Sequence, residues 1–202
     1  VDEGQLEYFT AEGAYNKIQH DQGLRRFTEE RKTYNPILTN KAASYYQING
    51  NIGMVEFHSK ANALDADSMQ LLGDAVQHAE ENYIGLIIHN DASHFSCGVN
   101  LEAIGGFIES QDWVGLDNFL DHFQKTVKAM KYSKIPVISA PSGLSIGGGF
   151  EVVLSTDMTI YHANSVTGLV ESLVGVVPGG GGVKELLYRW REIKGNETEA
   201  AW

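Results

Sequence analysis

One cysteine, no long apolar run and few basic residues set the first limits on this chain. A single thiol, Cys97, excludes an internal disulfide and fits a reducing, cytoplasmic setting. No stretch approaches the roughly 18 apolar residues of a membrane-spanning helix, so no membrane partner is expected. Lys and Arg number 15 against 26 Asp and Glu, a formal net charge of -11. A phosphate backbone needs a basic face, and no basic stripe with interleaved aromatics occurs, so no nucleic-acid partner is expected. The seven histidines show no metal-ligand spacing, and no metal is expected. The start, Val1-Asp2-Glu3-Gly4, has neither an initiator Met nor a basic n-region. With the abrupt polar end from Gly195 to Trp202, it leads to the expectation of a piece of a longer polypeptide.

What is present is 202 residues, 43% hydrophobic, enough for one sizeable core. Residues 1–43 are polar and aromatic with weak periodicity and read as a tail or linker with one or two short helices. Residues 44–202 read as the folded core. Strands are expected at Ile52–Phe57, Gly85–His89, Ile135–Ala140 and Met158–Tyr161. Helical spacing runs from Asp65 to Glu81, with Asp65 or Asp67 as N-cap, and from Trp113 to Met130. Further helices are expected from the Gly147 cluster through Leu154 and from Val183 to Trp190. Strands alternating with helices predict an α/β fold with crossover connections.

Two glutamates stand out because each lies beside glycines. Glu151 closes Gly147-Gly148-Gly149-Phe150-Glu151, and Glu171 closes Thr167-Gly168-Leu169-Val170-Glu171, ahead of Pro178-Gly179-Gly180-Gly181-Gly182. Glycine lets a backbone N–H approach a ligand closely, and a helix start offers unpaired N–H groups to an oxyanion. Two carboxylates facing one site can share acid and base work. Each has a plainer reading. Glu151 suits the first turn of a helix on dipole grounds alone, whereas Glu171, in an apolar stretch, needs a partner or a raised pKa.

Other motifs compete. Gly143-Leu144-Ser145-Ile146-Gly147 matches the serine-hydrolase elbow, with Asp157 and His162 in hydrolase order. Ser145 is several residues past its strand, however, and His162 follows too soon. The Pro178–Gly182 run lacks the Gly-Lys-Ser/Thr end of a P-loop, and a flexible turn before a helix is the better reading. Phe95 to Leu101 is a strand-to-helix loop that could supply a second oxyanion donor. Cys97 has no basic neighbour in sequence and reads as a packed residue.

Taken together, residues 52 to about 190 resemble the crotonase, or enoyl-CoA hydratase/isomerase, superfamily. Lys60-Ala61-Asn62-Ala63-Leu64 resembles its first CoA-contacting loop, Phe95 to Leu101 its first oxyanion segment and Ser145 to Glu151 its second. The resemblance implies a crotonase-like ββα spiral core, with the C-terminal helices expected to be truncated. It implies Val99 and Gly148 as oxyanion-hole donors and Glu151 and Glu171 as the catalytic pair for syn hydration of a 2-enoyl-CoA. Substrate and CoA contacts would come from Lys60, Ala61, Ala63, Ser96, Asn100, Leu101, Gly147, Val176, Pro178 and Gly179. Members with other chemistries often lack one glutamate; a one-glutamate isomerase and a non-catalytic acyl-CoA-binding module are the alternatives. Asn100, Cys97, Thr167 and Leu169-Val170 depart from the family pattern and bear on acyl chain length more than on reaction type. The chain looks most like the hydratase part of a bifunctional 3-hydroxyacyl-CoA dehydrogenase/enoyl-CoA hydratase. On that resemblance no cofactor is needed here, NAD would belong to an upstream dehydrogenase domain, and the full-length protein would be a trimer-type homo-oligomer.

Overall fold

The computed structural model describes residues 7–19 and 26–195. Two compact units divide the chain, Val1–Asn35 and Pro36–Trp202. In the first, β1 (Glu7–Phe9) and β2 (Tyr15–Lys17) form an antiparallel hairpin, and the Phe9 and Tyr15 rings meet at 5.0 Å. A short helix, α1 (Phe27–Glu30), runs into a 3-10 turn at Arg31–Thr33. The short helix agrees with the sequence reading, but the hairpin was not expected.

The second unit is built on a six-stranded sheet. Its strands are β3 (Pro36–Thr39), β4 (Ala43–Ile48), β5 (Ile52–Phe57), β6 (Gly85–His89), β7 (Val137–Ala140) and β9 (Met158–Thr159), adjacent in that order. The first two pairings are antiparallel and the other three parallel. β8 (Leu144–Ile146) and β10 (Val166–Gly168) form a separate parallel pair. The second compact unit starts at Pro36, the first residue of β3. Proline is tolerated at the start of an edge strand, and with exposed residues at three of its four positions β3 carries no legible alternation. β4 was also missed as a strand.

Parallel neighbours need crossovers. The first is α2 (Ala66–Asn82), whose N-cap is Asp65 in a reciprocal capping box with Ser68. Its apolar face, Met69, Leu72, Val76 and Ala79, is buried as the spacing predicts. Between β6 and β7 the chain makes α3 (Leu101–Glu109) and α4 (Trp113–Lys131). α4 buries Phe119, Phe123, Val127 and Met130 and packs on α2, where Thr126 fits against Gly73. α5 (Gly148–Leu154) precedes β9, and α6 (Gly182–Lys194) follows a 3-10 turn at Glu171–Val174.

The sheet determines where the loops meet. β5, β6 and β7 are parallel and adjacent, so the segments leaving their C-terminal ends emerge side by side, the usual position of a ligand site in such sheets. Asn90, just beyond β6 and 1% exposed, ties them: its Oδ1 accepts from Phe57 N–H at 2.6 Å, and its Nδ2 donates to Phe95 C=O at 2.5 Å. Replacing Asn90 by Ala strands a buried donor and a buried acceptor. Stability measured by urea unfolding should drop by about 3 kcal/mol; a loss within experimental error would show that the tie is dispensable.

Candidate active site

Three segments meet at the C-terminal edge of the parallel strands. The first is the 3-10 turn Lys60–Asn62 with Ala63 and Leu64. The second runs from Phe95 to Leu101, and the third from β8 into α5. Leu64 N–H donates to Gly98 C=O at 2.8 Å and Leu64 C=O accepts from Asn100 N–H at 2.7 Å, a parallel bridge that leaves Val99 N–H directed away from Leu64. On the other side Ser96 N–H donates to Leu144 C=O at 3.0 Å and Ile146 N–H to Ser96 C=O at 3.1 Å. Asn62 Nδ2 donates to His94 C=O, and Leu144 N–H donates to His94 Nδ1, fastening all three segments together.

Gly98 is where the second and third segments touch. Its φ of 89° lies in the region that favours glycine, and a Cβ there would come 3.0 Å from Ile146 C=O and 3.5 Å from Gly148 N. Val99 and Gly148 are neighbours in turn, since a Cβ on Gly148 would lie 2.8 Å from Val99 Cγ2. Gly148 is the first residue of α5, so its N–H has no intrahelical acceptor.

Glu151 is 2% exposed, and its carboxylate is held by backbone. Gly180 N–H donates to both oxygens, at 2.8 and 3.0 Å, and Gly182 N–H donates to Oε1 at 2.8 Å. A Cβ on Gly180 would fall 2.6 Å from Glu151 Oε2 and 2.4 Å from the Phe123 ring, so the cradle requires glycine. The Pro178–Gly182 run is therefore an anion cradle for the protein's own carboxylate, not a free turn. The four glycines were the signal for this, but nothing in the sequence named the anion. Burial pushes the Glu151 carboxyl up; the Gly182 and Gly180 N–H groups oppose it, and the charge of Glu171 adds to it.

Glu171 opens the 3-10 turn that follows β10. Its Oε1 would be 3.5 Å from a Cβ on Gly147. Both of its carboxyl oxygens are buried, and neither has a hydrogen-bond partner among the described residues. One carboxylate is thus saturated by N–H groups and the other is not.

The remaining sequence candidates divide. Lys60, Ala61 and Ala63 lie on the first segment, Lys60 and Ala61 exposed, and Leu101 is 54% exposed at the start of α3. Gly147 is the N-cap of α5, adjoining Glu171. Val176 lies in the loop between Glu171 and the cradle, where its N–H donates to Glu171 C=O, and Pro178 and Gly179 begin the cradle run itself. Ser96 faces inward: it is fully buried, its Oγ accepts from Gly98 N–H, and its side chain packs under Gly149. Asn100 caps α3, its Oδ1 accepting from Glu102 and Ala103 N–H. Both side chains are engaged in shaping the loop. Asn62, Asn90 and His94 escaped the sequence reading because their ties are to backbone groups distant in the chain.

The hydrolase reading fails on geometry. Ser145 is fully buried and its Oγ donates to Gly149 C=O; His162 bonds Asn164, and Asp157 accepts from Val137 N–H. Burial pushes the Cys97 thiol up, which does not suit a nucleophile. No group of His, Cys, Asp and Glu able to hold a metal occurs among the described residues, and none of their helices is long and apolar enough to cross a membrane.

Residues 47–192 match the family model for enoyl-CoA hydratase/isomerase. The chain belongs to that family. A Bacillus subtilis (strain 168) relative named "Probable 3-hydroxyacyl-CoA dehydrogenase" is 34% identical over 89% of this chain and 23% of its own length. A Rickettsia prowazekii protein, provisionally named a fatty acid oxidation complex trifunctional enzyme, is 31% identical over 96% of this chain and 26% of its own. The chain therefore spans about a quarter of these two relatives. In fold it resembles an enoyl-CoA hydratase of Polaromonas sp. JS666, with a TM-score of 0.69 at 22% identity over 73% of this chain and 58% of that one. This family fold is the crotonase-like α/β architecture expected from the sequence.

The cradle has a consequence for stability. Because the folded state raises the Glu151 pKa, ionised Glu151 opposes folding. That cost is absent below the unfolded-state value and sets in as pH rises from there through the folded value. Glu151→Gln should therefore gain stability relative to the parent between about pH 4 and pH 7. Urea titrations at both pH values test this; a constant or falling difference contradicts the buried-carboxylate account.

Proposed function

We propose that this domain adds water across the 2,3-double bond of an enoyl-CoA. The observation that carries the reading is the unequal pair: Glu151 fixed by Gly180 and Gly182 N–H, and Glu171, whose charge acts on Glu151, with both carboxyl oxygens buried and no hydrogen-bond partner among the described residues. A carboxylate with unused lone pairs, next to one that is already fixed, suits the binding and orientation of a reactive water.

On this reading Val99 and Gly148 N–H groups receive the thioester oxygen. Hydration builds negative charge on that oxygen as the hydroxyl adds to C3, and one such backbone donor is worth roughly 3 kcal/mol. One glutamate takes a proton from the water and the other delivers a proton to C2, on the same face. The product is a 3-hydroxyacyl-CoA, and no redox cofactor enters the step. The loop from Lys60 to Leu64 would contact CoA, and the Val176–Gly179 loop the acyl portion. The similarity to a much longer relative named as a dehydrogenase supports a setting in which an upstream domain oxidises this product with NAD.

The test is loss of the ultraviolet absorbance of the conjugated enoyl thioester of crotonyl-CoA. The parent should turn over, whereas Glu151→Gln and Glu171→Gln should each lose roughly 10²–10⁴-fold in kcat. Activity of Glu171→Gln within a few-fold of the parent would rule out the two-glutamate mechanism. Conversion of a 3-enoyl-CoA to the conjugated isomer, without hydration, would instead establish the isomerase.

A further inference from the structure

The cradle that holds Glu151 is itself held from outside. α6 contributes little to the core: among its described residues only Gly182 and Glu185 are buried. A groove of about 780 Å³ borders the loop, lined in part by Gln124, Lys131, Gly179, Gly180 and Glu185. Apolar packing on the loop comes from Leu120 at Gly179 and Phe123 at Gly180. Two polar ties from α4 complete the attachment. Gln124 Nε2 donates to Gly179 C=O at 2.6 Å. Lys131 Nζ pairs with Glu185 Oε2 at the first turn of α6. Glu185 is 5% exposed, takes Lys184 on its other oxygen at 3.0 Å, and its N–H donates to Gly181 C=O. Gln124 and Lys131 are seven residues apart, two helical turns, so they share one face of α4. They fasten the two ends of the segment whose N–H groups bind Glu151.

We propose that Gln124 and Lys131 are positioning residues that hold Glu151 in its working pose through the Gly179–Gly182 backbone. The inference rests on the hydratase reading for its kinetic consequence but not for its structural one. Glu171 acts on Glu151 by charge; Lys131, Lys184 and Glu185 stand on α4 and α6 around the loop. If the ties are cut, the loop drifts, and Glu151 loses N–H bonds that favour its charged form.

The test uses the 202-residue chain, with Gln124→Met and Lys131→Met removing the donors and Lys131→Arg restoring one. Gln124 is exposed, so its variant should fold, which circular dichroism checks. Crotonyl-CoA hydration should lose roughly ten- to a hundredfold in kcat, with KM within about twofold, in both Met variants and not in Lys131→Arg. Carbon-13 titration of the Glu151 carboxyl should show a higher midpoint in the same two variants. A midpoint that stays put in folded Gln124→Met overturns the proposal, as does a change confined to KM. A shifted midpoint in a chain that never hydrates crotonyl-CoA supports the positioning and overturns only the hydratase reading.

Discussion

A buried carboxylate bound by main-chain N–H groups is the constraint on which the rest of the site depends. Taking Glu151 out of water is unfavourable, and three contacts from Gly180 and Gly182 offset part of that cost. The contacts demand glycine, because a side chain at Gly180 would occupy the space of Glu151 and Phe123. Together with Arg189, whose guanidinium donates to Leu154 and Thr156 C=O, they tie α6 to α5, although few α6 residues are buried. One interaction thus joins α5 to the loop that runs on from Glu171.

The other half of the site comes from strand direction. Parallel pairing of β5, β6 and β7 sends the Lys60, Phe95 and Leu144 segments out at one edge in adjacent order. They then pair among themselves, through Leu64 with Val99 and Ser96 with Ser145. A loop stitched in this way behaves as an extension of the sheet. The Val99 and Gly148 N–H groups are therefore held in place by the fold before any ligand arrives, as the proposed donor role would require.

The regular crossover elements were legible because their signals are local. β5 and β6 lie at their expected bounds, and α2 starts at its Asp65 cap. The edge strand β3, its inner neighbour β4 and the short pair β8 and β10 are not legible: β3 is mostly exposed, β4 is buried along most of its length, and β8 and β10 have three residues each, so none shows alternation. In the site, Glu151 and Glu171 stood out by composition alone. The cradle did not, because which carboxylate a glycine run binds is a tertiary fact. Ser96 and Asn100 occupy positions with a plausible ligand role, and their side chains accept from Gly98 N–H and cap α3, ties that the sequence alone does not show. His94 looked like a default histidine and serves as an acceptor for Leu144 N–H.

The two carboxylates are treated unequally, and that inequality is what gives the pair chemical meaning. A fold optimised for stability alone would pair both or bury neither. Here Glu151 takes N–H donors from Gly180 and Gly182, so its orientation is set before any ligand arrives. Glu171, with both oxygens buried and no partner among the described residues, keeps its lone pairs for whatever enters. Burial raises the Glu151 pKa, and the charge of Glu171 adds to that rise. On the hydratase reading proposed above, one member fixed and the other uncommitted would let a water be held and a proton passed without either side chain moving far. That is the physical requirement of adding H and OH to one face of a double bond.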